Sequence, residues 1–246
     1  MYIIFYKRLK NINKHSLFYG IILGIILFLG YTTQTFALVY TQSSIVAFLT
    51  GFFVILVPII GYIFFKSKLS INIIIASFIS IIGLYLLTSS SNFDFNKGEL
   101  FALICAVFFA LHIIITGKLS QNTDIFVTVL IQFFVVSILS LIFSLFLEEK
   151  TLNIDFNYSF IKALIITSIF ATVYAFIVQS YMQQFISDNK TAIIFTLEPL
   201  SAAFYGMYIG NEVLSFTQII GASFIIVATI IAQVKISKNP KLNLSG

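Results

Sequence analysis

The sequence predicts an all-α polytopic membrane protein built on an inverted repeat, and three observations carry that reading. Of its 246 residues, 59% are hydrophobic and only 9% are charged. A soluble chain carries roughly 25% charged residues, and so few charges cannot cover a globular surface. The apolar residues gather in continuous runs of about the 20 residues that a spanning helix needs. Finally, the chain registers on itself at an offset of 145 residues.

Eight runs follow in order: 17–38, 44–65, 71–88, 99–117, 125–147, 160–182, 191–210 and 216–234. None alternates with a period of two, so transmembrane β-strands do not fit. Residues 1–6 are apolar but too short to span. Lys7, Arg8, Lys10 and Lys14 come after that stretch, the reverse of a signal peptide. The first run carries Gly20 and Gly24, a spacing that lets helices approach closely. The second opens after the turn Tyr40-Thr41-Gln42-Ser43 and holds Pro58, which is expected to kink it. Lys66-Ser67-Lys68 separates the second run from the third, and the polar stretch 89–98 leads into the fourth. The seventh is interrupted by Pro199, which removes a backbone donor and frees the carbonyl of Phe195.

An even number of spans puts both termini on one side. With the ends inside, the inner segments hold eleven Lys and Arg residues and the outer ones hold Lys97, Lys150 and Lys162. That bias predicts cytoplasmic termini in the cell's plasma (inner) membrane. The expected partner of this surface is the lipid bilayer. The positive net charge does not indicate nucleic acid, because the 29 Phe residues lie inside the apolar runs and not on a basic face.

At the 145-residue offset, 17–38 falls on 160–182, 44–65 on 191–210, and 71–88 on 216–234. Repeats of this kind are visible in transporters as weak hydropathy symmetry. The second unit holds five spans, so the two units must sit inverted; the first shows three. The expected organisation is an incomplete first repeat at 1–91, a second repeat at 99–236, and a cytoplasmic tail at 237–246. The first unit is expected to lack two spans at its start.

Glu198 is the acid that stands inside a span, next to Pro199. A carboxylate at membrane depth is costly, so a functional or tightly paired role is expected. Spacing places Glu198, Ser201, Ala202 and Tyr205 on one helix face. Gln34, Gln132, Gln179, Tyr174 and Thr50 complete a set of candidate cavity residues, and Gln34 and Gln179 correspond under the offset. Interhelical hydrogen bonding is the competing role for the glutamines. His112 could relay protons, although a hydrogen-bonded packing role is the simpler one. One cysteine, Cys105, excludes an internal disulfide. No metal-ligand pattern, no catalytic triad and no phosphate-binding loop is present. No enzyme activity and no cofactor is expected.

Several strings resemble the EamA group of the drug/metabolite transporter superfamily. They are Ala37-Leu38-Val39-Tyr40-Thr41 with Ser43-Ser44, Ala47-Phe48-Leu49-Thr50-Gly51, Val57-Pro58, and the turn at Lys66–Ser70. In the second half they are Phe109-Ala110-Leu111-His112-Ile113, Thr116-Gly117-Lys118-Leu119, Phe195 with Leu197-Glu198-Pro199, and Gly210-Asn211-Glu212-Val213-Leu214-Ser215. The resemblance implies two inverted five-helix units around a central cavity and export of amino acids, other metabolites or drugs. The eight runs would be family helices three to ten. The expected function is secondary transport of a small-molecule substrate by alternating access. A lipid or lipid-linked-sugar flippase of the same fold, or a partner-dependent fragment, stays open. A homo-oligomer is compatible with the sequence.

Overall fold

The computed structural model describes residues 13–67, 69–88, 96–119, 123–147, 156–201, 204 and 215–233. Tyr205, the first twelve residues and the tail lie outside that set. Every regular element among the described residues is helical. In order these are α1 (Lys14–Tyr40), α2 (Ser43–Thr50), α3 (Phe53–Phe65), α4 (Ile71–Thr88), α5 (Lys97–Leu119), α6 (Ile125–Leu147) and α7 (Tyr158–Ile166). A π-helical stretch (Thr167–Tyr174) follows, then α8 (Ala175–Met182), α9 (Asp188–Phe195) and α10 (Phe216–Gln233). Five stretches are long and apolar enough to cross a membrane: α1, Ile45–Phe65, α5, Ile125–Phe146 and Phe160–Met182. The cores of α4 and α10 are shorter apolar helices. The chain is a multi-pass membrane protein.

The caps explain where the helices start. Asn13 and Asn157 accept bonds from the second and third amides of α1 and α7. Asp124 does the same for Phe126 and Val127 of α6. At α5, Asn96 accepts from the Gly98 amide at 2.6 Å and Glu99 reaches back to the Asn96 amide at 2.7 Å. That reciprocal pair is a capping box.

The expected bend at Pro58 is not where the second span breaks. Pro58 lies inside the continuous helix α3, and the interruption sits at Gly51-Phe52, between α2 and α3. There the bonding tightens to three-residue steps, Phe52 to Leu49 at 3.1 Å and Val54 to Gly51 at 3.1 Å. Pro58 costs the Val54 carbonyl its partner four residues on. Ser77 of α4 replaces it, donating to that carbonyl at 3.1 Å. A consequence can be measured. Ser77→Ala is expected to cost about 0.6 kcal/mol, the average for a membrane-protein side-chain bond. The cost should vanish in a Pro58→Ala background, where residue 58 regains its amide. A double-mutant cycle of unfolding in detergent with no coupling between the two positions would refute this.

Packing sets two pairs. α1 lies along α5 and α6, and α4 lies along α10, while α3 crosses α5 and meets α9. The glycines of α1 make the close approach possible. A Cβ on Gly20 would lie 2.8 Å from Ile131, on Gly24 2.7 Å from Val135, and on Gly30 2.8 Å from Phe109. At the α4–α10 contact, Gly83 abuts the Gly221 backbone; Ala76 and Ala228, both fully buried, share a core cluster. By contrast, the long stretch from α7 through α8 has no buried residue in its apolar window.

Element bounds follow the offset seen in the sequence. α4 and α10 begin 145 residues apart, and α2 and α9 both begin and end 145 residues apart. The interruption after α2 at Gly51 and the one after α9 at Thr196 also correspond.

Candidate functional site

The break after α9 positions Glu198. Thr196 turns the chain, its amide and its hydroxyl both directed to the Ile193 carbonyl at 3.1 and 2.7 Å. Helix resumes at 197–201. The Glu198 side chain is exposed to solvent-sized contact, yet it lies within electrostatic reach of the Tyr31 hydroxyl on α1. Tyr31 meets the edge of Phe109 on α5, with ring centroids 6.2 Å apart, and stands near buried Cys105. Tyr31 thus joins α1 to α5, with Glu198 of the segment after α9 in its electrostatic surroundings. Among the described residues no hydrogen bond or ion pair engages that carboxylate.

A second polar group is fully buried between α5 and α6. His112 Nε2 lies 3.3 Å from Gln132 Oε1, and Phe176 packs edge-on against the imidazole at 5.4 Å. One helical turn away on each helix stand Thr116 and Thr128. The hydroxyls of both threonines and the Gln132 amide nitrogen are buried without a hydrogen-bond partner. Such groups are costly in an apolar interior. The cluster can accept water or a small hydroxyl-bearing partner, and its histidine can carry a proton.

A third group lies at the far end of α5. Gln179 donates to Gln183 Oε1 at 3.1 Å, and Gln183 in turn donates to the Ile113 carbonyl at 2.9 Å and towards Asp188 Oδ1 at 3.4 Å. Asp188 presses on Gly117, where a side chain would overlap its Oδ1. Burial pushes the Asp188 carboxyl up to about 6, against the opposing pull of Lys118 and Gln183. A cleft of about 510 Å³ opens here, lined by Ser67, Lys118, Gln183, Ser187 and Asp188 among others.

The nine residues singled out by the sequence therefore divide. Gln132 and His112 come together, and Glu198 is exposed within electrostatic reach of Tyr31. Gln179 is buried but bonds Gln183, and no hydrogen bond joins it to half-buried Gln34. Thr50 is buried with its hydroxyl turned back to Val46 at 2.8 Å. Ser201 likewise bonds its own helix, at Leu197. Tyr174 is 63% exposed on the π-helical stretch and joins none of these groups. Tyr205 lies outside the described residues.

Three residues carry more than the sequence reading assigned them. Glu99, in the first turn of α5, is fully buried and accepts from the Thr41 hydroxyl at 2.6 Å. Glu198, by contrast, is exposed. Gln183 and Asp188 organise the cleft. The Asn96-to-Glu99 spacing was a readable signal for the first; nothing local marks the other two. No group of His, Cys, Asp or Glu among the described residues could hold a metal ion.

Comparison with known proteins bears on this arrangement. Residues 1–89 and 96–233 match the EamA-like transporter family. An uncharacterized transporter of Archaeoglobus fulgidus is 31% identical over 217 residues, covering 88% of this chain and 69% of the relative. A crystal structure titled only as that of a protein shares the fold, with a TM-score of 0.73 at 14% identity over 89% of this chain and 85% of the other.

Proposed function

The chain belongs to the EamA-like transporter family, and on that premise we propose that it is a secondary carrier of small organic solutes, exporting them by alternating access. Membrane transport of this type is the family's activity. The substrate class, the direction and the mechanism are our reading. The observation that carries it is Glu198. It sits just beyond a helix break, exposed, unpaired among the described residues, and within electrostatic reach of Tyr31 on α1. Broken helices beside polar groups at membrane depth are where carriers bind substrates and coupling ions.

Two units, 1–91 and 99–236, followed by a tail at 237–246, fit the paired helix bounds. In this reading α1, held by α5 and α6, is the counterpart of the stretch from α7 to α8. That stretch has no equivalent pair of helices against it among the described residues. The termini are placed in the cytoplasm of a cell whose plasma membrane holds the protein.

The experiment is flux. Vesicles containing the purified chain and loaded with a mixture of labelled amino acids and other small metabolites should release at least one solute faster than empty vesicles. Release of no solute, with movement of a fluorescent phospholipid between leaflets instead, would replace the carrier with a flippase. Orientation has its own check. Cysteines at Ser91 and Asn153 are expected to react with an impermeant maleimide on intact cells, and one at Ser237 is not. The reverse pattern would overturn the placement of the ends.

A further inference from the structure

α5 makes a fixed contact at each of its ends, and both contacts are with the turn that precedes a broken helix. At the first end, Thr41 lies in the turn between α1 and α2. Its hydroxyl donates to buried Glu99 at 2.6 Å, and a Cβ on Gly98 would lie 2.8 Å from the Thr41 Cβ. At the other end, the turn between α8 and α9 holds Gln183, with Asp188 at the start of α9. Gln183 donates to the Ile113 carbonyl of α5 at 2.9 Å, and Asp188 presses on Gly117.

The helices that follow the two turns correspond. α2 and α9, which follow the two turns, lie 145 residues apart at both ends. Both are interrupted after eight residues. Gly98 and Gly117 lie 19 residues apart on α5, about 29 Å at 1.5 Å per residue, close to the thickness of a bilayer's hydrocarbon core. Between them, Tyr31 of α1 packs edge-on against Phe109 of α5, with Glu198 within electrostatic reach of the Tyr31 hydroxyl. Each glycine removes the side chain that would hold the turn off the helix.

Resting on the carrier reading above, we propose that α5 is the strut against which both ends of the passage close. Thr41 on Glu99 and Gly98 seals one end. Gln183 and Asp188 on Ile113 and Gly117 seal the other, and the two seals release in turn. Each seal is a small set of polar contacts over a glycine. Such a contact can break and reform without disturbing the apolar packing of α1 along α5 and α6.

The test uses the full chain in membranes of known sidedness. Cys105→Ala removes the native thiol, and Gln34→Cys, half-buried three residues from Tyr31 on α1, reports access to the interior between the two contacts. An impermeant maleimide is offered from each side in turn. Gln183→Ala is expected to speed labelling about fivefold from the Lys118 end of α5 and not from the Glu99 end. Thr41→Val is expected to do the opposite, and Thr41→Ser, which keeps the hydroxyl, to label like its parent. Should Gln183→Ala fail to fold, Gln183→Met fills the same volume without the bonds and takes its place. Any other pattern overturns the proposal. The readout does not depend on substrate. If the expected pattern holds but loaded vesicles release nothing, the carrier reading falls while the seals stand.

Discussion

Glu198→Gln is expected to reduce transport at least about tenfold while the protein reaches the membrane in normal amount. Glutamine keeps the shape of the side chain and its capacity for hydrogen bonds but removes the titratable charge. In the structure that charge is not committed to the fold. The carboxylate has no hydrogen bond or ion pair among the described residues, it is accessible, and its electrostatic neighbour is Tyr31. A charge kept at membrane depth without a structural partner has to be repaid by function. The measurement is the initial rate of solute release from loaded vesicles, normalised to inserted protein by immunoblot. A mild Glu198→Gln phenotype together with a Glu198→Leu variant that misfolds would assign the carboxylate to the backbone freed by Pro199. Full activity in a well-folded Glu198→Leu variant would remove both roles.

Much of this fold is legible because lipid simplifies the code. Where the solvent is hydrocarbon, apolar length alone marks a helix. The starts of the third and fifth runs were read to the residue on that basis: α4 and α6 begin at Ile71 and Ile125. The repeat was readable for the same reason, through hydropathy and not through identities. What apolar length cannot show is a break inside a run. The interruption at Gly51-Phe52 and the π-helical stretch at Thr167–Tyr174 leave the composition unchanged. Pro58 offered a plausible wrong place for the first, because its missing bond is repaired from another helix by Ser77.

The site was harder to read than the fold. A buried polar residue in a span is easy to notice, and Glu198, His112 and Gln132 were found that way. Which polar residues meet depends on helix rotation and on pairing between segments far apart in sequence. Glu99 and Thr41 are 58 positions apart, and Gln183 and Ile113 are 70 apart. Helical spacing put Thr50 and Ser201 on candidate faces, but a lone hydroxyl in an apolar helix readily bonds its own backbone one turn back. Both do so here.

The largest loss of stability from a single methyl group is expected at Gly221. α4 and α10 pack with their backbones in contact there. A Cβ on Gly221 would lie 2.6 Å from the Gly83 carbonyl oxygen and 2.6 Å from the Leu87 amide. Both are backbone atoms, so no side chain can swing aside, and the two helices must separate along their length. That separation loosens the clusters around Ala76 and Ala228 and around Leu84 and Ile225. Overpacking of this kind costs about 1–3 kcal/mol. Gly61→Ala is the matched control. The nearest atom to its new Cβ is Ser67 Oγ at 3.4 Å, and alanine in a helix interior gains roughly 0.5–1 kcal/mol over glycine. Cys105, the single thiol and fully buried, reports unfolding directly when a thiol-reactive dye is present during heating in detergent. Gly221→Ala should expose it several degrees below the parent, and Gly61→Ala at or above the parent's midpoint. Gly83→Ala meets the same opposing backbone, at 2.9 Å from the Gly221 carbonyl oxygen. Once one methyl group has pushed the helices apart, the second meets less resistance, so the double variant should lose clearly less than the sum of the two. Equal midpoints for Gly221→Ala and Gly61→Ala, or strict additivity in the double variant, would show that the α4–α10 contact is not the tight backbone seam drawn here.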